Sequence, residues 1–409
     1  MYTKRINRPE YIDFLIRSKD RQIIKVVSGI RRCGKSTLFD IYRDWLCANG
    51  VASEQIVSIN FEDIENEHLD DYRLLYDSIT PHLLPDRMNY IFLDEIQHVR
   101  QYEKAVDSFL LSKNVDVYIT GSNASFMSGE LATLLTGRYI ELKMLPLSFS
   151  EYCEGLELYS PEASLSKMEK YASYLTESSF PYTMQLGGRK KDIREYLAGI
   201  YNSILLKDVV ARLRVSDVMM LESVTKFLFH NIGSLLSTSK IANTMTSAGR
   251  KIDQKTVEKY IKGLMDSLMV HQANRYNIKG KQYLATLEKY YVADIGLRHF
   301  LLGAGNADQG HILENIVYLE LLRRGNDVYV GHLADGEVDF VAQNADGVAY
   351  YQVAATVLGE GTLHRELASL ERTKDNYPKF LLTLDEIGSG TQHNGIRQIN
   401  ALDWLLQPC

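Results

Sequence analysis

The chain has 409 residues, 45% of them hydrophobic and 24% charged, the balance of a globular protein long enough for two to four domains with cores of their own. Its 46 Lys and Arg against 52 Asp and Glu give a formal net charge of −6, which gives no chain-wide case for nucleic-acid binding. No apolar run approaches the roughly 18 residues that span a bilayer, and the basic stretch 1–9 is not followed by an apolar one, so neither a membrane span nor a secretory signal is expected.

The first strand predicted is the apolar run 23–27. It leads into Gly29-Ile30-Arg31-Arg32-Cys33-Gly34-Lys35-Ser36, a G-x-x-x-x-G-K-S spacing, and then into a helix-compatible stretch over 37–46. Strand, glycine loop and helix are the context in which this spacing makes a phosphate site. The glycines let the backbone curl so that successive N–H groups face a polyphosphate, and the positive end of the following helix adds to the attraction. Residues 29–37, Thr37 included, are therefore the expected nucleotide contacts. Lys35 is placed to reach the β- and γ-phosphates and Ser36 to hold Mg²⁺. Cys33 lies beside a helix N-terminus, where a thiolate can be favoured; a small residue that merely fits the loop is the preferred reading.

A strand over 56–60 and a helix beginning near Tyr72 follow. Next comes Tyr90-Ile91-Phe92-Leu93-Asp94-Glu95, four apolar residues ending in two carboxylates. This reads as a buried parallel strand, and open α/β sheets bind ligands at the carboxyl ends of their strands. Asp94 is placed to contact Mg²⁺, and Glu95 to polarise the attacking water. After a helix over 102–111, the strand 115–120 ends in Gly121-Ser122-Asn123. Asn123, and after it Ser122, are candidates to orient that water or to bind the γ-phosphate, against the alternative of a polar turn. A short helical piece over 130–136 precedes Gly137-Arg138 and a strand over 139–142. Arg138 is either a finger reaching a neighbouring subunit's γ-phosphate or a solvated arginine at a strand entrance. Alternating strand and helix signals over about 20–143 imply parallel βαβ units.

Beyond Pro146 the pattern turns helical, over 166–175 and 191–210. Residues 216–290 then read as a winged helix: a helix over 218–232, an N-cap at Ser237 to Ser239, a recognition-type helix over 253–264, and a hairpin of 270–276 and 283–285 around a turn at 277–281. Val257, Tyr260, Ile261 and Leu264 share one helical face, while Lys255, Lys259 and Lys262 point elsewhere. Residues 239–290 hold ten Lys and Arg against four Asp and Glu. A basic module in an acidic chain is the footprint of a DNA contact, although packing or oligomerisation is an alternative use of such a module. The four cysteines (Cys33, Cys47, Cys153 and Cys409) are scattered with no C-x-x-C pair. That argues against zinc and against a disulfide framework, and it fits a reducing cytoplasm.

The twin acids after an apolar strand, together with the phosphate loop, resemble AAA-type ATPases of the P-loop class. A closer resemblance covers nearly the whole chain, through Ser28 to Ser36, Ile59-Asn60-Phe61-Glu62-Asp63, Leu93 to Gln97, Thr120 to Asn123, Leu135 to Arg138, Leu145 to Phe149, Lys289 to Leu297, and Gly336 to Phe340. It is to a bacterial and archaeal family in which an AAA-like ATPase is joined to a decayed, restriction-endonuclease-like domain. Ser178-Ser179-Phe180-Pro181 departs from the glycines usual in that family. The element pattern and the resemblance together imply an α/β protein in four parts: an AAA-like core over 1–145, a helical lid or connector over 146–215, a winged helix over 216–300 and, from the resemblance, a nuclease-like domain over 301–409. The resemblance also implies ATP with Mg²⁺, preference for adenine over guanine, and a homo-oligomer. Glu314 and Asp339 match the first two acids of a restriction-type metal site, but Gln352 and Ala354 stand where an acid and a lysine belong, so efficient DNA cleavage is not expected. The main expectation is ATP hydrolysis driving a conformational change. A slow, ATP-switched DNA-binding or signalling module is the alternative, and an ATP-dependent nuclease a remoter one.

Overall fold

The computed structural model describes residues 4–124, 135, 137–303 and 309–408. They fall into two compact units: Met1–Pro146 with Asp266–Leu268, and Leu147–Met265 with Met269–Cys409. Apart from Leu135, the helical piece expected over 130–136 lies outside the described residues.

In the first unit five strands form a wholly parallel sheet in the order β2-β3-β4-β1-β5. They are β1 (Ile24–Gly29), β2 (Ile56–Asn60), β3 (Asn89–Asp94), β4 (Val115–Gly121) and β5 (Tyr139–Met144). The three central strands are buried at every residue, while β2 and β5 are largely half-exposed, as edges of a sheet covered on both faces must be. Because side chains alternate along a strand, Val26, Ile91, Leu93, Val117 and Ile119 collect on one face. There they pack under α3 (Tyr72–Ile79) and α4 (Tyr102–Leu110), against Leu75, Val106 and Phe109. The opposite face carries Phe92 and Tyr118, stacked 4.8 Å apart, which meet Phe39 and Tyr42 of α2 (Lys35–Ala48). Lys25 interrupts the apolar run of β1 and is fully buried. It is neutralised by Asp116 on β4 and donates to the Arg21 carbonyl at 2.7 Å, while Asp116 accepts from the Tyr118 hydroxyl at 2.8 Å. Helix α1 (Pro9–Ser18) also belongs to this unit; it was not expected, although Pro9 at its start and the buried positions Tyr11, Ile12, Leu15 and Ser18 follow a helical period.

The second unit opens with helices α5 (Phe149–Tyr159), α6 (Lys167–Glu177) and α7 (Lys190–Ser203), the last running into a π-helical turn at Ile204–Ala211. Helices α8 (Val218–His230), α9 (Thr238–Ser247) and α10 (Gln254–Asp266) follow. The Ser237 hydroxyl caps α9 by accepting from Lys240 N, as expected for an N-cap. The hairpin β7 (Val270–Asn277) and β8 (Gln282–Val292) does form, but not as a free wing. Arg275, Tyr276 and Asn277 pair in parallel with Val330, Gly331 and His332 of β9 (Asp327–Leu333). The hairpin thereby joins β6 (Leu235–Leu236), β10 (Gly336–Asn344), β11 (Gly347–Ala354), β12 (Lys379–Thr383), β13 (Gln392–His393) and β14 (Ile396–Asn400) in one mixed nine-stranded sheet. Ile278, in the turn expected at 277–281, is buried with Leu333, Val338 and Val341, a gain of apolar burial that anchors the turn. No sheet boundary therefore falls at 300/301, where the winged-helix and nuclease-like parts were expected to divide. Helices α11 (Ile295–Leu302), α12 (Gln309–Arg323), α13 (Thr362–Glu371) and α14 (Ala401–Leu406) complete this unit.

Candidate nucleotide site

The phosphate loop lies where β1 hands over to α2. Arg32 and Gly34 take left-handed backbone angles, φ 68° and 105°, which turn successive N–H groups to the same side. Glycine is required at 29 for another reason: a β-carbon there would lie 2.5 Å from the Met144 carbonyl of β5, so the loop and the neighbouring strand end can meet only if that position has no side chain. Gly34 is the N-cap of α2 and supplies no capping side chain, which leaves the first-turn N–H groups facing outward as a ready anion site.

Strand order brings the twin acids to this loop, because β3 ends beside β4 and β4 lies beside β1. The Lys35 ammonium is 3.1 Å from Glu95 Oε1 and donates to the Gly29 carbonyl at 3.0 Å. Both side chains are more than nine-tenths buried. The Ser36 side chain lies close enough to Asp94 to favour its charged form, and Asp94 Oδ1 accepts from Thr120 Oγ1 at 2.5 Å, while Thr120 Oγ1 in turn accepts from Glu95 N at 2.9 Å. Gln97 Nε2 bridges Glu95 Oε2 at 2.5 Å and Ser122 Oγ at 3.3 Å. Lys35, Ser36, Asp94 and Glu95 thus converge in one cluster, with Ser122 included through Gln97.

The two acids are tuned apart. Burial raises the Asp94 carboxyl above its ordinary value even though Ser36 and Thr120 favour its charged form. Burial would raise Glu95 too, but the Lys35 ammonium and the bonds from Gln97 and Ser122 outweigh it and hold Glu95 below the usual range. A carboxylate and a hydroxyl at the mouth of a phosphate loop are hard oxygen donors. Mg²⁺ takes that set together with phosphate oxygens, so the residues fit the ion that the fold implies.

The remaining candidates divide. Asn123 follows Ser122 and is half-buried. Arg31 pairs with Glu62 at 2.8 Å, and Arg32, Ser36 and Thr37 are exposed. Cys33 is fully buried and burial pushes its thiol up, which corrects the reactive-thiolate reading. Arg138 is not brought to the cluster: it pairs with Asp107 and precedes Tyr139, which lies level with Ile24, whereas Met144 lies level with Gly29. At about 3.3 Å per residue it stands roughly 20 Å along the sheet from its own phosphate loop, so only a second chain could bring it to a phosphate.

Arg8 has no local signal in the sequence, yet its buried guanidinium ties the site together. It donates to the Cys33 carbonyl at 3.3 Å and the Leu145 carbonyl at 2.9 Å, and it sits 4.6 Å from the centre of the Tyr11 ring. Gln97 and Thr120 likewise had no assigned role.

Residues 21–153 match the family model of an AAA domain, and residues 168–308 that of a domain of unknown function. An uncharacterized protein of Haemophilus influenzae is 41% identical over 404 residues, spanning 98% of this chain and 99% of its own length. An uncharacterized protein of Methanocaldococcus jannaschii is 30% identical over 334 residues, 78% of this chain and 71% of its own. Among solved structures, a Walker-type ATPase of Pyrococcus abyssi shares the fold with a TM-score of 0.51 at 15% identity, over 73% of this chain and 96% of that one.

Proposed function

The chain belongs to the family these two relatives represent, with an AAA domain in its N-terminal part, and on that premise we propose that it binds ATP with Mg²⁺ and hydrolyses it. The observation that carries the reading is the convergence of Lys35 and Ser36 with Asp94 and Glu95 at one end of the parallel sheet. The loop N–H groups and the α2 terminus hold the phosphates, and Ser36 and Asp94 hold Mg²⁺. The ion, when bound, neutralises charge developing on the β- and γ-phosphate oxygens. Glu95 accepts the proton of the attacking water.

The Lys35–Glu95 pair supplies a trigger. A γ-phosphate competes with Glu95 for the Lys35 ammonium, and once Lys35 turns to the phosphate Glu95 loses the charge that kept its pKa low. Its burial then makes it a stronger base at the moment substrate is in place. Arg138 acts, on this reading, only across a homo-oligomer, as a finger from one chain to another's phosphate.

A second reading, DNA binding through residues 239–290, is favoured by α10. Val257, Tyr260, Ile261 and Leu264 are buried, while Lys255, Lys259 and Lys262 are exposed, as are Lys279 and Lys281 of the hairpin turn. Phosphate release from ATP by the purified protein tests both readings. Release should require Mg²⁺ and stop on chelation; no release under any condition would refute the first. If DNA is a partner, duplex DNA should change the rate at low salt and lose its effect steeply as salt rises. A rate indifferent to DNA at every salt concentration would refute the second.

A further inference from the structure

The restriction-type pattern places a metal between Glu314 and Asp339, with a lysine expected at 354, where Ala354 stands. The structure supplies a lysine from elsewhere. Lys289, on β8, reaches among three acids: its Nζ is 2.9 Å from Glu314 Oε1, 2.6 Å from Glu337 Oε1 and 3.8 Å from Asp339 Oδ1. The Lys289 and Glu314 side chains are at least nine-tenths buried. The surrounding groups are committed as well. The Tyr291 hydroxyl donates to the same Glu314 oxygen at 2.6 Å, and Asp339 Oδ2 accepts from Val353 N at 2.8 Å. Gln352 uses both ends of its amide, accepting from Asp339 N at 3.3 Å and donating to Glu366 at 2.9 Å.

Mg²⁺ demands near-octahedral oxygen ligands at about 2.1 Å, and seating it here would strip Lys289 of the carboxylates that make its burial tolerable. The residues therefore do not fit the metal that the pattern implies. We propose that the Lys289 ammonium takes the place of that metal, so that β8, α12 and β10 are joined by an internal ion cluster that neither binds a divalent cation nor cleaves phosphodiesters. The lysine comes from the hairpin that the sheet has drawn in, which is why its position in the sequence gives no hint of it.

Mn²⁺ binding to the nucleotide-free full-length protein, followed by electron paramagnetic resonance, tests this. Wild type and Asp339→Asn should give the same isotherm. Asparagine keeps the size of Asp339 and an oxygen that can still accept from Val353 N, so this variant should fold. A wild-type Mn²⁺ site that Asp339→Asn abolishes would overturn the proposal. Lys289→Ala should bind Mn²⁺ at least about tenfold more tightly than wild type, and a folded Lys289→Ala protein with no such gain would overturn it too. If Lys289→Ala does not fold, the comparison of wild type with Asp339→Asn decides alone.

Discussion

Lys35→Ala should weaken ATP binding by about 30- to 700-fold. The figure follows from one or two hydrogen bonds between an ammonium and phosphate oxygens, together worth about 2–4 kcal/mol when charge is involved, at 1.4 kcal/mol per factor of ten. The loss has a second source. Lys35 neutralises Glu95 inside the protein, and without it Glu95 is a buried carboxylate facing the incoming phosphates, left with Gln97 and Ser122 as donors. Titration calorimetry with ATP measures the first effect and a thermal melt the second, where the variant should unfold at lower temperature than wild type. Wild-type affinity in Lys35→Ala would mean that the phosphates bind elsewhere.

Glu95→Gln should behave in the opposite way. The substitution keeps the shape and removes the base, so turnover should fall by about 10²- to 10⁴-fold, the usual contribution of a positioned general base. ATP affinity should be retained or improved, because a neutral amide no longer competes with phosphate for Lys35. Single-turnover kinetics beside equilibrium binding separates the two effects. The same geometry fixes a sign in the pH profile. Lys35 and the hydrogen bonds to Glu95 outweigh its burial and hold it ionised, so the acid limb of kcat/KM due to this group should lie below the ordinary glutamate value, with activity lost only as pH falls through it. A Glu95→Gln enzyme with full turnover would remove Glu95 from the chemistry.

How much of this was legible in the sequence depends on whether the signal is local. The phosphate loop is contiguous and its flanking strand and helix are periodic, so Gly29 to Thr37 could be read directly. Asp94 and Glu95 terminate an apolar run, again a local pattern. The groups that hold those residues in place are set by register between distant strands and had no such signal. Thr120 reaches Asp94 because β4 lies beside β3, and Arg8 reaches Cys33 and Leu145 across 25 and 137 residues. The C-terminal half shows the same limit. Reading along β11 for a lysine found only Ala354, whereas the lysine present comes from β8 through a hairpin fixed in the sheet by Ile278. Strands β13 and β14 and helix α14 were not expected, since two of them are short and β14 mixes polar with apolar residues.

Calorimetric titration of the wild-type protein with ATP, in Mg²⁺ and again with Mg²⁺ chelated, tests the central claim most directly. One ATP per chain should bind, and more weakly once the ion is removed, because Ser36 and Asp94 then lose their shared partner. Absence of binding at millimolar ATP in the presence of Mg²⁺ would contradict a nucleotide site between the phosphate loop and the paired acids.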